Sequence, residues 1–534
     1  MNFTKAFAGL HRPSEYSMRV FRTTLFMSLA AGMFGQVTFD TGSIGAITEM
    51  KTFQEEFGEL TSLVRGLVVS IILVPSALTG MLAGNVSDKI SRKRAIGLGA
   101  AIFGLGSALS AGAKKSLAML IVGRCVAGAG EGLFLGCLGV YLTEISPRHL
   151  RSQMILLQQI FCTGAIATAF FVCYGTVNIP NSMGWRLPFV IQSITSIVLA
   201  CGANFMPYSA RWLLSKGRRE EALHVLDRLV GPENAHNADE RRELLATPAA
   251  ATKNMSQLEA LRDIWRTGVR GRTILGIALN VFQQLSGIDF VLFYAPLLFT
   301  QAGLDPSTSS FIASGCTGLV LLVCTVCGTF YIDRVGRRKI WLVGGTATAF
   351  CHFVLALLYA TGAARGNVGK YVVIVFIELF AVSFVLSWSL VTKLYAAEIQ
   401  PMRTRAAAAS TGQGLNQLAN FAVAVSGPAF LEASSFGPYL MYGGFTALGV
   451  VFAWLFMPEV IGKTLEGIDS TFQGSPVAVS WPKVFTSAQL TEVRQRKNSR
   501  SQSTHLPGET RDEIRAHIAM QTIGEDDTAV SDDH

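Results

Sequence analysis

"YLTEISPRHLR", residues 141–151, ends an apolar run on an acid and continues into a basic loop. The same pattern returns as "YAAEIQPMRTR" at residues 395–405. A second pair, "GNVSDKISRKR" at 84–94 and "YIDRVGRRK" at 331–339, repeats in the same order. Ordered repeats of this kind predict two parallel halves with corresponding helices and loops, and a ligand site between the halves.

The composition explains what these halves are made of. The chain has 534 residues, of which half are hydrophobic and only 15% charged, and its mean hydropathy is +0.40. Soluble domains usually carry about 25% charged residues. The apolar residues fall into runs of about 20, which is the length that crosses a bilayer core. We predict spans 1 to 12, in chain order, at 24–46, 65–85, 95–113, 117–143, 153–174, 186–206, 273–300, 311–332, 340–361, 371–397, 408–430 and 438–458.

The predicted fold is therefore an all-α membrane protein with twelve transmembrane helices in two six-helix bundles and a cytoplasmic helical insert. The insert contains "REEALHVLDRL", which has a helical amphipathic pattern. The predicted boundaries are 1–23 for an N-terminal segment, 24–206 and 273–458 for the two bundles, 207–272 for the linker helices and 459–534 for a largely disordered tail.

Basic residues predict the orientation of the chain. They cluster after spans 2, 4, 8 and 10, and the alternate loops carry few of them. The excess of Lys and Arg on cytoplasmic loops places both termini and the insert in the cytoplasm. The net charge of +9 sits largely on these loops, so we expect no nucleic-acid partner. No metal cluster, nucleophile triad or phosphate loop is visible in the sequence, and we expect neither an enzyme nor a cofactor.

An ordered set of motifs resembles the sugar porter family of the major facilitator superfamily. The set covers about residues 20–470 and comprises "GNVSDKISRKR", "GRCVAGAGEG", "YLTEISPRHLR", "MPYSARWLLSKGRREEA", "QQLSGID", "DRVGRRK" and "PEVIGKTLEGID". The ending of span 10 is similar to that of fungal members. The resemblance implies a twelve-helix major facilitator fold that carries a polar small molecule. We expect a monomer in a lipid bilayer, the plasma membrane.

The resemblance also implies a proton-coupling site. "FDTGSIG" at 39–45 matches the family's "YDTGVIG", so Asp40 takes the place of the acid of proton-coupled members, and Arg124 matches the arginine that faces this acid. Desolvation favours the neutral carboxyl and the arginine favours the carboxylate, so Asp40 is either a proton site or half of a static ion pair. Glu131 lies seven residues after Arg124 on nearly the same helix face. It is either a second proton carrier or a structural partner.

Amide side chains match the family's substrate contacts. They are Gln159 in span 5, Gln283 and Gln284 in span 7 and Asn420 in span 11, with Gln158 as the alternative to Gln159. Amides suit hydroxyl groups because each offers a donor and an acceptor. The alternative role of each amide is a hydrogen bond between helices.

Four positions depart from the family pattern. Lys393 and Gln417 each replace a tryptophan of the family, which makes the predicted pocket more polar, Asp289 replaces an asparagine, and Glu131 replaces a small apolar residue. Lys393 either binds a carboxylate of the substrate or pairs with Asp289. The pairing is attractive because spans 7 and 10 correspond to spans 1 and 4, which carry Asp40 and Arg124.

Charged residues at the cytoplasmic ends of the spans predict a gate. We expect Arg92 or Arg94 to meet Glu144, and Arg337 or Arg338 to meet Glu398, in contacts that form in one state and break in another. The alternative is that these charges only set the topology. The predicted gate residues are Asp88, Arg92, Glu144, Arg151, Asp333, Arg337, Glu398 and Arg405.

The sequence is compatible with three functions. We expect a proton-coupled symporter for a sugar or a sugar-like polyhydroxy solute, whose partners are protons and a small polar solute such as a sugar, polyol or sugar acid. The second is a carrier or exporter of a carboxylated, quinate-like or specialised metabolite. The third is a non-transporting nutrient sensor, which would need a long tail with partner motifs; the modest tail here shows none.

Overall fold

A computed structural model describes residues 36–146, 151–230, 257–266, 268–304, 309–331, 335–366, 368–401, 404–460 and 472. All regular secondary structure in these ranges is helical. Outside these ranges lie the predicted N-terminal segment, the first half of span 1 and the middle of the insert. Of the predicted tail, only residues 459, 460 and 472 are described.

The helices follow the predicted order. Spans 1 to 6 are Gln36–Thr48 for the described part of span 1, Ser62–Ser70 and Leu73–Ile90 for span 2, then Arg92–Ala111, Leu117–Ile145, Arg151–Thr176 and Met183–Gly202. Span 7 consists of Arg270–Leu285, Ile288–Phe293 and Ala295–Gln301, and spans 8 and 9 are Ser309–Tyr331 and Arg337–Ala360. Span 10 consists of Gly369–Phe384, a π-helix at Val385–Ser389 and Leu390–Glu398; spans 11 and 12 are Arg405–Ala433 and Gly437–Phe456.

Shorter helices connect the spans. Lys51–Phe57 follows span 1, and the described parts of the insert form Ala210–Ser215, Arg219–Val230 and Gln257–Asp263. The 3₁₀-turns are Ala203–Phe205 and Ala363–Arg365. The "REEALHVLDRL" stretch is therefore helical, as its amphipathic pattern predicts.

In the described ranges, ten helices are long and apolar enough to cross a membrane. Spans 1 and 11 complete the predicted twelve but are not among the ten. Span 1 is described only from Gln36. Span 11 is a helix of 29 residues whose buried positions include Asn416, Gln417 and Asn420, and these polar side chains lower its hydropathy.

Span 7 differs from the uninterrupted helix that its sequence predicts. It breaks at Gly287, whose φ of +77° lies in the left-handed region that favours glycine. A Cβ at this position would approach Cδ2 of Tyr442 to 2.6 Å. Glycine therefore serves both the backbone turn and the close packing of span 7 on span 12.

The two halves meet closely where small residues allow it. A Cβ added at Gly45 of span 1 would collide with the backbone oxygen of Phe293 in span 7. A Cβ at Gly66 of span 2 would likewise collide with the backbone of Val425 in span 11. Both contacts lie toward the predicted extracellular ends of these spans, so the halves are closed on that side. Close approach of small residues is a common way to pack membrane helices.

Replacing Gly45 with alanine should disfavour this closed arrangement. The obstacle is a backbone carbonyl, which cannot rotate away, and overpacking of this kind costs about 1–3 kcal/mol. We expect surface expression to persist while solute uptake falls by about tenfold, the equivalent of about 1.4 kcal/mol. An impermeant thiol reagent added outside should label a cysteine placed at Phe293 faster than in the parent chain.

The matched control is Gly139→Ala in span 4, where an added Cβ meets nothing within 4 Å. Normal uptake and an unchanged labelling rate in the Gly45→Ala variant would contradict the assigned closure.

Candidate functional site

An ion pair in the N-terminal half joins spans 1 and 4. Arg124 donates from Nη1 and Nη2 to the two carboxylate oxygens of Asp40, at 3.0 and 2.9 Å. Nη2 also donates to the backbone oxygen of Val69 in span 2, at 2.6 Å. Asp40 is 3% exposed and Arg124 is 1% exposed. A bidentate, charge-assisted geometry offsets part of the desolvation of two charges at this depth.

Gln192 of span 6 belongs to the same cluster, although the sequence did not single it out. Its Nε2 lies 3.5 Å from Oδ1 of Asp40 and 3.4 Å from Oγ of Ser43. The only sign of it in the sequence is that it is the one glutamine in an otherwise apolar span. Four spans of the N-terminal half therefore converge on the pair of Asp40 and Arg124.

Glu131 is fully buried, and its hydrogen-bond partners are residues other than Arg124. Its Oε1 accepts a hydrogen bond from Oγ of Ser76 in span 2, at 3.1 Å, and lies 3.5 Å from Nε2 of Gln417 in span 11. Its Oε2 has no hydrogen-bond partner in the described part of the chain. The contact with Gln417 crosses between the halves, which the sequence did not predict.

A network of amides joins spans 7, 10 and 11. Nε2 of Gln284 donates to Oδ1 of Asn416 at 3.0 Å, and Nδ2 of Asn416 donates to the backbone oxygen of Asn280 at 2.8 Å and to Oε1 of Gln283 at 3.4 Å. Nε2 of Gln283 donates to the backbone oxygen of Trp388 at 3.2 Å. In this conformation Gln283 and Gln284 thus make contacts between helices, while Oε1 of Gln284 has no partner among the described residues.

The ion pair between Lys393 and Asp289, one of the two alternatives for Lys393, is not formed in this structure. Asp289 instead accepts a hydrogen bond of 2.6 Å from Nδ2 of Asn420. Within the described ranges, no carboxylate lies within 4 Å of the Lys393 ammonium. The π-helix just before Lys393 adds a residue to one turn and so rotates the side chains that follow, which the repeat-based pairing did not take into account.

Lys393 instead lies between the halves with its side chain exposed. The titratable groups near it are Asp289 of span 7 and Cys162 of span 5. Gln159 lies three residues before Cys162, which places both on one face of span 5. Gln159 and Gln158 are both partly exposed.

Two ion-pair clusters lie at the predicted cytoplasmic ends of the spans. Arg92 contacts Asp88 at 2.7 Å and Glu144 at 3.1 Å, and Arg337 contacts Glu398 at 3.4 Å. Each cluster lies within one half of the chain. Arg405 donates to the backbone oxygen of Gln400 at 3.2 Å. Asp333 and the side chain of Arg151 lie outside the described residues.

Glu459 completes the second cluster and was missed in the sequence, although it stands in the "PEVIGKTLEGID" motif. Its carboxylate accepts the backbone N–H groups of Arg337 and Arg338, at 3.0 and 3.1 Å. These are unpaired N–H groups at the start of span 9, where a negative charge is favoured.

The fold and this polar interior define a polytopic membrane protein of the carrier type. The family described as "Sugar (and other) transporter" matches residues 23–472. The chain therefore belongs to the sugar transporter family of the major facilitator superfamily, as its motifs predict.

Related proteins agree with this assignment. The chain is 29% identical over 482 residues to "Sugar transport protein MST3" of Oryza sativa subsp. japonica, covering 86% of this chain and 91% of the relative. It is 27% identical over 480 residues to "Polyol transporter 5" of Arabidopsis thaliana, covering 87% and 88%. These relatives are plant proteins and lend no support to the predicted fungal type.

Solved structures share the fold. The xylose transporter XylE from E. coli in an inward-open conformation is 22% identical, with a TM-score of 0.69 over 84% of this chain and 99% of that one. The proton:xylose symporter XylE bound to 6-bromo-6-deoxy-D-glucose is 24% identical, with a TM-score of 0.69 over 86% and 100%. The predicted major facilitator fold is thereby confirmed.

Replacing Asn416 with alanine should loosen the amide network. The side chain is 1% exposed and bonds to three groups of span 7, so its loss strands buried polar atoms at about 1–3 kcal/mol each. We expect a lower thermal unfolding temperature of the purified protein in detergent. Gln413→Ala, at a partly exposed position one turn earlier in span 11, is the control. Equal unfolding temperatures of the two variants would show that the network adds no stability.

Proposed function

We propose that the protein is a proton-coupled symporter that carries a sugar or a sugar-like polyhydroxy solute by alternating access. The observation that carries this proposal is the buried pair of Asp40 and Arg124, a titratable group in the interior of a chain from a sugar transporter family. Relatives named for sugar and polyol transport, and a structural relative named as a proton:xylose symporter, support the same proposal.

The coupling step begins with the carboxylate of Asp40. While Asp40 is ionised, Arg124 holds span 1 against spans 2 and 4 through three hydrogen bonds. A proton on Asp40 removes the negative charge and weakens both bonds from Arg124. Span 1 also carries Gly45, which packs against span 7 of the other half. A change at Asp40 can therefore reach the contact between the halves through one helix.

The substrate site in this proposal lies at the amides of spans 5, 7 and 11. Oε1 of Gln284 and Oδ1 of Asn420 are buried oxygens without partners in the described ranges. Buried acceptors of this kind are normally satisfied, and a solute hydroxyl can donate to each of them. Gln159, Gln283 and Gln417 complete the proposed set, because rearrangement of the amide network would free them for the solute.

Glu131 provides the proposed link between the proton site and the solute site. It contacts Gln417 of span 11 across the boundary between the halves, and it lies close enough to Asp40 for a Coulombic interaction. We assign it the role of second proton carrier, because its free oxygen can hold a proton without breaking the bonds to the other oxygen.

The cytoplasmic clusters are the proposed gate. The pairs Arg92–Glu144 and Arg337–Glu398 join neighbouring spans within each half in this structure. In the outward-facing state these acids would exchange partners across the halves. The two bundles at 24–206 and 273–458 are the proposed moving bodies, with 207–272 as the linker. We further propose a monomer in the plasma membrane with both termini in the cytoplasm.

Asp40→Asn tests the coupling. The amide keeps the shape of the carboxylate but cannot bind and release a proton, so pH-driven accumulation should disappear while downhill exchange persists. In proteoliposomes with a gradient of one pH unit, symport of one proton per solute gives about tenfold accumulation, since about 1.4 kcal/mol corresponds to tenfold. In the Asp40→Asn variant the ratio of internal to external solute concentration should be about 1.

The matched control is Glu56→Gln, because Glu56 also forms a mostly buried pair, with Arg186 at 2.6 Å, outside the proposed proton path. Accumulation should survive in this variant. Full accumulation by Asp40→Asn would place the coupling group elsewhere.

A further inference from the structure

Lys393 lies on the last helix of span 10, Leu390–Glu398, and forms no ion pair with any described residue. Arg124 of the N-terminal half, by contrast, makes a bidentate bond to its acid and is 1% exposed. Lys393 has an exposed side chain, and no carboxylate of the described chain lies within 4 Å of it. A charge inside a membrane protein normally faces a partner or a water-filled cavity that is part of the function.

The groups that face Lys393 explain why it remains available. Asp289 of span 7 is the nearest acid, and Asn420 already engages one of its carboxylate oxygens at 2.6 Å. On the other side lies span 5, with the thiol of Cys162 and the amide of Gln159 on the same face. Cys162 and Gln159 are both uncharged, so neither side chain repels an anion that approaches Lys393.

Aromatic side chains next to Lys393 on span 10 do not face the same space. Trp388 is fully buried and stacks on Trp341 of span 9, with ring centroids 3.9 Å apart. Tyr395 is fully buried and donates to the backbone oxygen of Pro458 at 2.9 Å. This part of span 10 therefore presents the Lys393 charge, and neither of these two rings, to the space that Lys393 faces.

We infer that Lys393 binds a carboxylate of the solute, and that the carried class is a polyhydroxy acid, such as a sugar acid. The inference rests on the proposed symport. The free oxygens of Gln284 and Asn420 bind the hydroxyls, and Lys393 binds the acid end through a charge-assisted hydrogen bond. A monoanion that enters with one proton carries no net charge, so the inside-negative membrane potential would not oppose its uptake.

Matched ligand pairs test this inference on the purified full chain. Glucuronate differs from glucose, and gluconate from sorbitol, in a carboxylate and little else. Ligand-induced rises in unfolding temperature report binding without transport. We expect each acid to bind the parent protein at least about tenfold more tightly than its neutral partner, as a charged hydrogen bond of about 1.5–3 kcal/mol predicts.

Lys393→Gln should raise the apparent Kd for both acids by about tenfold or more and change that for the neutral ligands by less than about threefold. Lys393→Arg keeps the charge and should keep the acid preference. The control Lys370→Gln removes an equal charge from the predicted extracellular end of span 10, where Lys370 lies over the ring of Tyr371. Lys370→Gln should bind all four ligands with the apparent Kd values of the parent protein.

Equal binding of acids and neutral partners by the parent protein would overturn the inference, even if Lys393→Gln fails to fold. An equal loss of affinity for the acids and for the neutral ligands in Lys393→Gln would also overturn it. Binding and pH-driven uptake of the neutral ligands alone would overturn the anion site and leave the symporter in place. Failure to bind or accumulate any of the four ligands would contradict both.

Discussion

The bidentate contact between Asp40 and Arg124 is the interaction on which the N-terminal half depends. It buries two opposite charges at membrane depth, and Val69 and Gln192 add contacts from spans 2 and 6. Removing one partner of a buried pair costs about 3–5 kcal/mol, because the other charge is left without compensation. Four helices thus hold one titratable group in place, and in the proposed mechanism a proton on that group weakens the contacts that join them.

The internal repeat produces two halves that use their charges differently. Spans 1 and 4 carry a closed ion pair, whereas spans 7 and 10 carry Asp289 and Lys393 without a direct contact. In the C-terminal half the amide of Asn420 donates a hydrogen bond to Asp289, and Lys393 remains exposed. In the proposed mechanism the N-terminal half therefore holds the proton, and the C-terminal half presents donors, acceptors and one positive charge to the solute. Glu131 and Gln417 connect the two.

Much of the fold followed from the sequence because it rests on local patterns. Apolar runs gave the order of the spans, and the repeated loops gave the two halves. The contacts Arg92–Glu144 and Arg337–Glu398 were also expected, since each joins the ends of neighbouring helices. Gln192 and Glu459 were missed because their partners are distant in sequence, and nothing in their own surroundings indicates those partners.

The ion pair between Lys393 and Asp289, one of the two roles that the sequence left open for Lys393, is not formed in this structure. The repeat that aligns residues 141–151 with 395–405 places Lys393 opposite Gly139 and not opposite Arg124. Correspondence under the repeat fixes which helices are neighbours, but the rotation of each helix decides which side chains meet. The break at Gly287 and the π-helix at Val385–Ser389 change that rotation in spans 7 and 10, and neither is visible as a periodic pattern. In the sequence only the glycine signals a break; the π-helix includes Trp388, which stacks on Trp341 of span 9.

The central claim, that solute and proton move together through one carrier, is tested most directly by measuring both fluxes at once. Proteoliposomes that contain the purified chain and a trapped pH dye would receive radiolabelled glucose or glucuronate outside, with no pH gradient at the start. We expect internal acidification to begin with solute entry, at a fixed ratio of protons to solute, and to stop when solute is removed. Solute entry at an undiminished rate without any acidification would contradict the coupling of transport to protons.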